Sequence, residues 1–392
     1  MISVQEAKKM IADQINLLEP VTLNLKYVLG HVLAEDVYAQ YDIPAFAQSS
    51  MDGYALIVGD QKKELDVVGE MAAGTSHLLT IKSGETCRIF TGAPLPAGAD
   101  TVVMQEKTSM VDGKIHLHDE QLKLGSNVRN KGSEVKSGAM AMQKGNLLGP
   151  AAIGFLAGIG ITAVNVYPMP KVAIIVTGKE LQQPGAELHF GQVYESNSYS
   201  LSAALKQEGI ADIEIYEADD DLEILTTVLE TALQKNDVVL LNGGVSVGDY
   251  DFVIEASKRC GIEQIFHRVK QKPGKPLFFG TKGQKVIFGL PGNPSSVLSC
   301  YYNYVLPALK GLSNKENSVK ETKGTLTHAY KKPAGLTHFL KGWYENENAS
   351  PLNAQESFRL SSFAQANCLI IMNEDQEEFI KGETVHVILL PN

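Results

Sequence analysis

DVVLLNGGVSVGDYD, residues 237–251, decides how the chain is read. An unbroken apolar run empties into Gly243 and Gly244, then Ser246 and Gly248, with two acids, Asp249 and Asp251, close behind. Such a run is a buried strand, and glycines at its end let backbone amides approach an anion without side-chain obstruction. Ligands of open αβ sheets bind at this carboxyl edge. Asp251 opens the next helix and suits a hard cation bridging phosphate oxygens; Asp249 reads equally well as a helix cap. A tight structural turn explains the glycines as readily as an anion site does.

The segments on either side repeat the pattern. KVAIIVTG, IADIEIYEA, IEQIFHRV, KPLFFG and KVIFGLPG read as further strands, and the intervening periodicity predicts helices over 196–208, 220–235, 251–260 and 293–312. Residues 168–314 are therefore expected to form a doubly wound αβ domain, a parallel sheet covered on both faces. Residues 45–137 are rich in Gly, Pro and short β-prone runs and read as an inserted β-rich domain. It is flanked by 1–44 and 138–167, an N-terminal linker and dimerisation domain. GTLTHAY, THFLKGWYE, CLIIMNE and ETVHVILL indicate a C-terminal β-domain over 315–392. The whole is a multidomain α/β protein.

Composition narrows the function. The 392 residues are 44% apolar and 20% charged with a formal net charge of −10, which argues against general affinity for nucleic acid or acidic membranes. An anionic ligand then needs a local cationic pocket. Cys87, Cys260, Cys300 and Cys368 have no paired spacing, which disfavours a zinc site and a disulfide framework. The N-terminus reads as a helix, with Ser3 and Glu6 in a capping-box pattern and Ala7, Met10, Ile11 and Ile15 as its apolar stripe. No export signal is visible and a cytoplasmic location is expected. The longest apolar stretch, 148–164, is interrupted by Pro150 and four glycines and reads as a buried segment, not a membrane span.

Three more strand ends carry chemistry. Thr177, Gly178, Lys179 and Glu180 close one strand, where Glu180 suits a metal and Asn197 suits either a helix cap or a ligand contact. Asp219, Asp220 and Asp221 follow another and read as a helix start or as metal ligands. QKPGKPLFFG holds Lys272 and Lys275 on a loop stiffened by Pro273, Gly274 and Pro276, aiming two point charges at an oxyanion or phosphate. In GLPGNPSSVLSC, Pro291 and Pro294 fix a turn, and a helix opening near Asn293, Ser295 and Ser296 presents amides and hydroxyls to an anion.

TGKEL, GGVSVGDYD, KPGKP and GLPGNP follow one another as in the MoeA family, the molybdopterin molybdenumtransferases that also include the gephyrin E domain and its plant counterpart. SSMDGYAL, RIFTGAPLPAGADTVVMQE, NVRNKGSEVKSG and SFRLSSFAQANCLIIM are similar to the same family's remaining motifs, so the resemblance spans nearly the whole chain. It implies a central domain similar to the molybdopterin adenylyltransferases and the insertion of molybdate into adenylylated molybdopterin, with release of AMP and with Mg2+ as cofactor. It assigns the metal and substrate site to Asp251, Glu180 and one of Asp219 and Asp220, with Lys272 and Lys275 as the basic pair and Pro291 and Pro294 in a rigid anion loop. Thr177, Asn197, Gly243, Gly244, Ser246, Asn293, Ser295, Lys341 and Ser357 fall among the substrate contacts. Asp52, Thr91 and Arg129 would reach the site from the opposite subunit of a homodimer, and Glu134 is counted with Asp52 among the catalytic residues; the structural alternatives are that Asp52 organises the MDGY turn, Thr91 serves as a cap and Arg129 pairs with Glu134. A molybdopterin adenylyltransferase is admitted as a protein partner.

Three positions depart from the family pattern. Lys179 stands where Asp is frequent, Glu134 where Asp is common, and Lys341 replaces a frequent Arg and loses its bidentate fork. Two other functions compete: an adenylyltransferase, disfavoured by the added terminal modules, and a peptide-binding scaffold, disfavoured by the absence of a long linker. Lys179 keeps open a paralogue that serves tungsten or one that has lost metal insertion.

Overall fold

The computed structural model describes residues 1–244 and 252–391, so Ser246, Asp249 and Asp251 lie outside the described residues. The chain divides into two compact units, one of residues 1–21, 30–32 and 166 onward, the other of 22–29 and 33–165.

At the centre of the first unit is a six-stranded sheet of β1 (Val172–Thr177), β2 (Ile213–Ala218), β3 (Val238–Asn242), β4 (Glu263–His267), β5 (Phe278–Lys282) and β6 (Lys285–Leu290), in the order β2-β1-β3-β6-β5-β4. β2, β1, β3 and β6 are mutually parallel, as the sequence leads one to expect. β5 runs antiparallel to both β6 and β4. The cause is local: Gly283, at a φ of 60°, and one further residue join β5 to β6, and a two-residue connection permits only an antiparallel return.

Successive side chains of β1 enter opposite cores. Val172, Ile174 and Val176 pack with Leu201 and Leu205 of α1 (Asn197–Gln207), while Ala173 and Ile175 pack with Leu225, Leu229 and Leu233 of α2 (Leu222–Lys235). The sheet is thus covered on both faces. α3 (Phe252–Arg259) lies on the α2 side through Val253 and Ala256, and α4 (Pro294–Cys300) on the α1 side through Val297 and Cys300.

The helix expected over 293–312 is interrupted. α4 passes into a wide π turn at Tyr301–Val305 before α5 (Leu306–Leu312). Pro307 explains the widening, because it has no N–H to donate back along the helix and its ring collides with the carbonyl four residues earlier. The N-terminal helix, Val4–Ala12, carries the capping box: Glu6 N donates to Ser3 Oγ at 3.2 Å and Ser3 N to Glu6 Oε2 at 2.7 Å. Val4, Ala7 and Ile11 form its buried face, and Met10 is exposed, contrary to the expected stripe.

The C-terminal sheet is ordered Gln271–Lys272, Thr337–Glu345, Asn348–Pro351, Lys320–Leu326, Thr384–Leu389, Cys368–Met372, and the last strand also pairs with Thr337–Glu345. Gln271 and Lys272 are its parallel edge, opposite Thr337 and His338, so the lysine loop is anchored in this sheet.

The second unit holds a six-stranded sheet of Thr101–Met104, Gly53–Leu56, Glu85–Ile89, Leu65–Met71, Lys114–Leu117 and Thr108–Val111. Its helix Pro150–Gly158 buries only Leu156, so the apolar stretch 148–164 is less enclosed than its composition suggests. Among the described residues no helix is long and apolar enough to cross a membrane.

Candidate functional site

The ladder sets β1, β3 and β6 level at their carboxyl ends: Val176 lies opposite Asn242, and Asn242 opposite Leu290. Beyond these ends opens a cleft of about 650 Å³, lined among others by Thr177, Glu180, Asn197, Asp220, Asn242 and Gly243. Gly244, Pro276, Pro291, Asn293, Pro294 and Phe358 line it as well.

Its floor is tied together by buried amides. Asn197 Nδ2 donates to the Gly292 carbonyl at 2.8 Å and to Asn242 Oδ1 at 3.2 Å, so Asn197 clamps the ends of β3 and β6 to the start of α1 and does not cap its own helix. Thr177 Oγ1 donates to the Asn242 carbonyl at 3.3 Å. Gly243 is required here: its φ is 95°, and a Cβ would lie 2.7 Å from Thr177 Oγ1 and 2.9 Å from the Thr177 carbonyl oxygen.

The carboxylates sort themselves by position. Asp221 is the helix cap of α2, accepting from Glu223 N at 2.9 Å and Ile224 N at 3.0 Å. Asp220 faces the cleft with Glu180, whereas Asp219 lines an adjoining hollow of about 580 Å³. Lys179 lines that same hollow and is not among the residues lining the cleft. Glu195 also lines the cleft but is buried and spent on Ser198, accepting from its N at 2.8 Å and its Oγ at 2.6 Å.

The C-terminal segment supplies the far wall. Ser357 accepts from Asn293 Nδ2 at 3.0 Å through its hydroxyl and from Ser295 N at 3.1 Å through its carbonyl, which seats Phe358 against the cleft. Among the described residues the Ser295 hydroxyl, fully buried, has no hydrogen-bond partner. Lys341 does not reach this space. It is buried, and its ammonium donates to the carbonyls of Ala354 at 2.8 Å, Arg359 at 3.0 Å and Glu356 at 3.3 Å. The direct oxyanion contact expected of Lys341 gives way to a positioning role, because its donors are consumed in shaping the loop that carries Ser357.

Lys272 and Lys275 are exposed on the loop that ends in the lining residue Pro276. Lys272 lies beside His338, whose imidazole pKa is pushed down to about 4 by burial and by the charges of Lys272 and Lys332. The cleft lining is acidic, and neither Lys272 nor Lys275 is among the residues that line it.

Among the described residues no group of three or more His, Cys, Asp or Glu is arranged to hold a metal. That donor set still fits Mg2+, which is bound through one or two carboxylates plus substrate phosphates and not by an all-protein cage. Glu180 and Asp220 are two such carboxylates in one cleft.

In the second unit, Asp52 and Thr91 are brought together. Asp52 Oδ1 accepts from Thr91 N and Thr91 Oγ1, each at 2.8 Å, and the backbone donor is the main reason its pKa is lowered. Arg129 pairs in a short ladder with Gln48, and among the described residues it forms no ion pair with Glu134. Glu134 is exposed and holds the Ile43 carbonyl through its backbone N–H at 2.9 Å.

Sequence reasoning passed over Asn242 and Phe358. Asn242 had a signal, a lone amide ending a strand that is otherwise apolar. Phe358 had none, since only the tertiary fold brings it to the sheet edge.

Comparison with known proteins bears on what this cleft does. Residues 2–160 match the model of the MoeA N-terminal region (domain I and II), 173–311 the probable molybdopterin binding domain, and 323–390 the MoeA C-terminal region (domain IV). The chain is similar to the molybdopterin molybdenumtransferase of Staphylococcus aureus strain Mu50, 33% identical over 99% of this chain and 95% of that one. Its counterpart in Staphylococcus epidermidis is 34% identical with the same coverage. A crystal structure of the molybdopterin biosynthesis MoeA protein from Pyrococcus horikoshii, 30% identical, superimposes with a TM-score of 0.84 over 99% of both chains.

Proposed function

The chain belongs to the MoeA family and is a transferase of molybdenum cofactor biosynthesis; from that premise we propose that it inserts molybdate into adenylylated molybdopterin, with release of AMP, in the cleft at the carboxyl edge of the central sheet. The observation that carries this is the convergence of Glu180, Asp220, Asn197, Gly243, Asn293 and Pro294 on one cleft from positions scattered through the sequence.

The chain's own groups divide the work. Backbone amides at Gly243 and Gly244 can approach a phosphate closely because no Cβ intervenes. Lys272 and Lys275 offset charge on phosphate and molybdate, and the loop from Pro291 to Ser296 gives the anion a rigid wall. Glu180 and Asp220, with Asp251 from the sequence pattern, would hold Mg2+, which when bound supplies polarisation of the pyrophosphate link. Once molybdate has reached the dithiolene, an oxo ligand or water attacks the pterin-side phosphorus of the pyrophosphate, and water, where it is the nucleophile, gives up its proton to solvent. The bridging P–O bond breaks and AMP leaves with the electron pair.

No protein nucleophile is required. All four cysteines are buried, and desolvation pushes the Cys87 and Cys260 thiols up to about 11 and those of Cys300 and Cys368 up to about 12. None is a thiolate at neutral pH.

The protein acts as a cytoplasmic homodimer in this proposal, with Asp52, Thr91 and Arg129 of a second copy contributing to each site. A molybdopterin adenylyltransferase is the partner whose product it would consume. The test is a purified-protein assay with adenylylated molybdopterin, molybdate and Mg2+: AMP release that depends on molybdate supports the proposal. Consumption of ATP with no such release would show an adenylyltransferase instead. Sedimentation that finds a fully active monomer would remove the cross-subunit contribution.

A further inference from the structure

A lysine on a loose surface loop binds an anion weakly, because ordering its long side chain and the loop beneath it opposes the Coulomb gain. Lys275 is exposed, but the backbone that carries it is fixed from below by groups removed from water. Gln271, 1% exposed, donates its Nε2 to the Gly274 carbonyl at 2.8 Å and accepts on Oε1 from the Tyr304 hydroxyl, itself on a side chain 1% exposed. The orientation of the Gln271 amide follows from chemistry: a carbonyl only accepts, so Nε2 faces Gly274, Oε1 faces Tyr304, and the phenol must donate. Val269 N holds the Lys275 carbonyl at 3.0 Å. Gly274 sits at a φ of 84°, where a Cβ would lie 2.6 Å from the buried Cys300 Sγ.

Tyr304 and Cys300 belong to one helical piece. That piece begins at Pro294 in the cleft wall and includes the π turn that Pro307 imposes. The lysine loop and the proline loop are therefore referred to the same rigid body, one through Gln271 and the other through the start of α4. We propose that Gln271 and Tyr304 are positioning residues for Lys275, setting where its ammonium meets molybdate. This rests on the functional reading above.

Tyr304→Phe is the informative change, since it keeps the ring in the core and removes only the donor to Gln271 Oε1. The account predicts a folded protein in which half-saturating molybdate rises about tenfold with kcat nearly unchanged, the equivalent of one lost buried hydrogen bond. A purely structural role would not give that split. In a Lys275→Ala background, Tyr304→Phe should add little, because its effect passes through the lysine. Gln271→Met supplies the same comparison from the other partner should Tyr304→Phe fold poorly. An equal shift with and without Lys275, or no shift while Lys275→Ala alone raises half-saturating molybdate, overturns the positioning role and leaves the site reading intact. Unchanged molybdate saturation in Lys275→Ala itself overturns the site reading as well.

Discussion

Asn197 donates its side-chain amide to the Gly292 carbonyl at 2.8 Å, joining the start of α1 to the loop after β6 across the end of β3. Three segments that are far apart in sequence are held at one edge by a side chain 8% exposed. Asn197→Ala leaves the Gly292 carbonyl without this donor and opens a small void. A loss of about 1–3 kcal/mol is expected, read as a lower urea midpoint with an unchanged slope. AMP release should fall more than stability requires, because the cleft floor loses its clamp.

Gly243→Ala should be worse for its size than any other single-methyl addition in the cleft. The backbone is left-handed there, and the new Cβ meets Thr177 Oγ1 at 2.7 Å and its carbonyl oxygen at 2.9 Å. Destabilisation of about 2–4 kcal/mol is expected from strain and overlap together, measured by thermal unfolding. A variant as stable as wild type would mean that the strand end moves freely.

The chemistry-bearing strand ends were legible because each is local. A run such as KVAIIVTG reports a buried strand and its own terminus, and Gly243 reports a backbone without Cβ at the edge. The π turn at Tyr301–Val305 could be suspected only from Pro307, and the antiparallel β5 only from the brevity of its link to β6. What sequence could not assign was which of Asp219 and Asp220 faces the cleft. That depends on the cap geometry of Asp221, which turns Asp220 to the cleft and Asp219 to the adjoining hollow. Lys341 escaped assignment for a related reason: its ammonium is engaged by the loop over 354–359, and no local pattern reveals that loop's carbonyls converging on it.

Lys341→Met should confirm that role. Removing the donor from three carbonyls is expected to cost about 3 kcal/mol and to make the segment near Ser357 more sensitive to proteolysis. Protease resistance equal to wild type would show that the loop is held without the ammonium, by Gln355 Nε2 donating to the Lys341 carbonyl at 2.8 Å and the Ser362 hydroxyl donating to the Ala354 carbonyl at 2.7 Å.

His338 makes stability depend on pH. Its folded pKa is about 4 against an ordinary 6.5, so the unfolded chain binds the proton more readily. The contribution is present above pH 6.5 and is lost as pH falls from there toward 4, about 3 kcal/mol across the window. His338→Gln, measured by thermal unfolding between those limits, should flatten the curve. An unchanged slope would place the acid sensitivity elsewhere.

The most direct measurement is molybdate-dependent AMP release from adenylylated molybdopterin by Glu180→Gln and Asp220→Asn, each alongside its own thermal unfolding curve. If these two carboxylates hold the cation that serves the pyrophosphate, each variant keeps its melting temperature and loses activity by about a hundredfold or more. Wild-type rates in both variants would contradict a catalytic cleft at the carboxyl edge of this sheet.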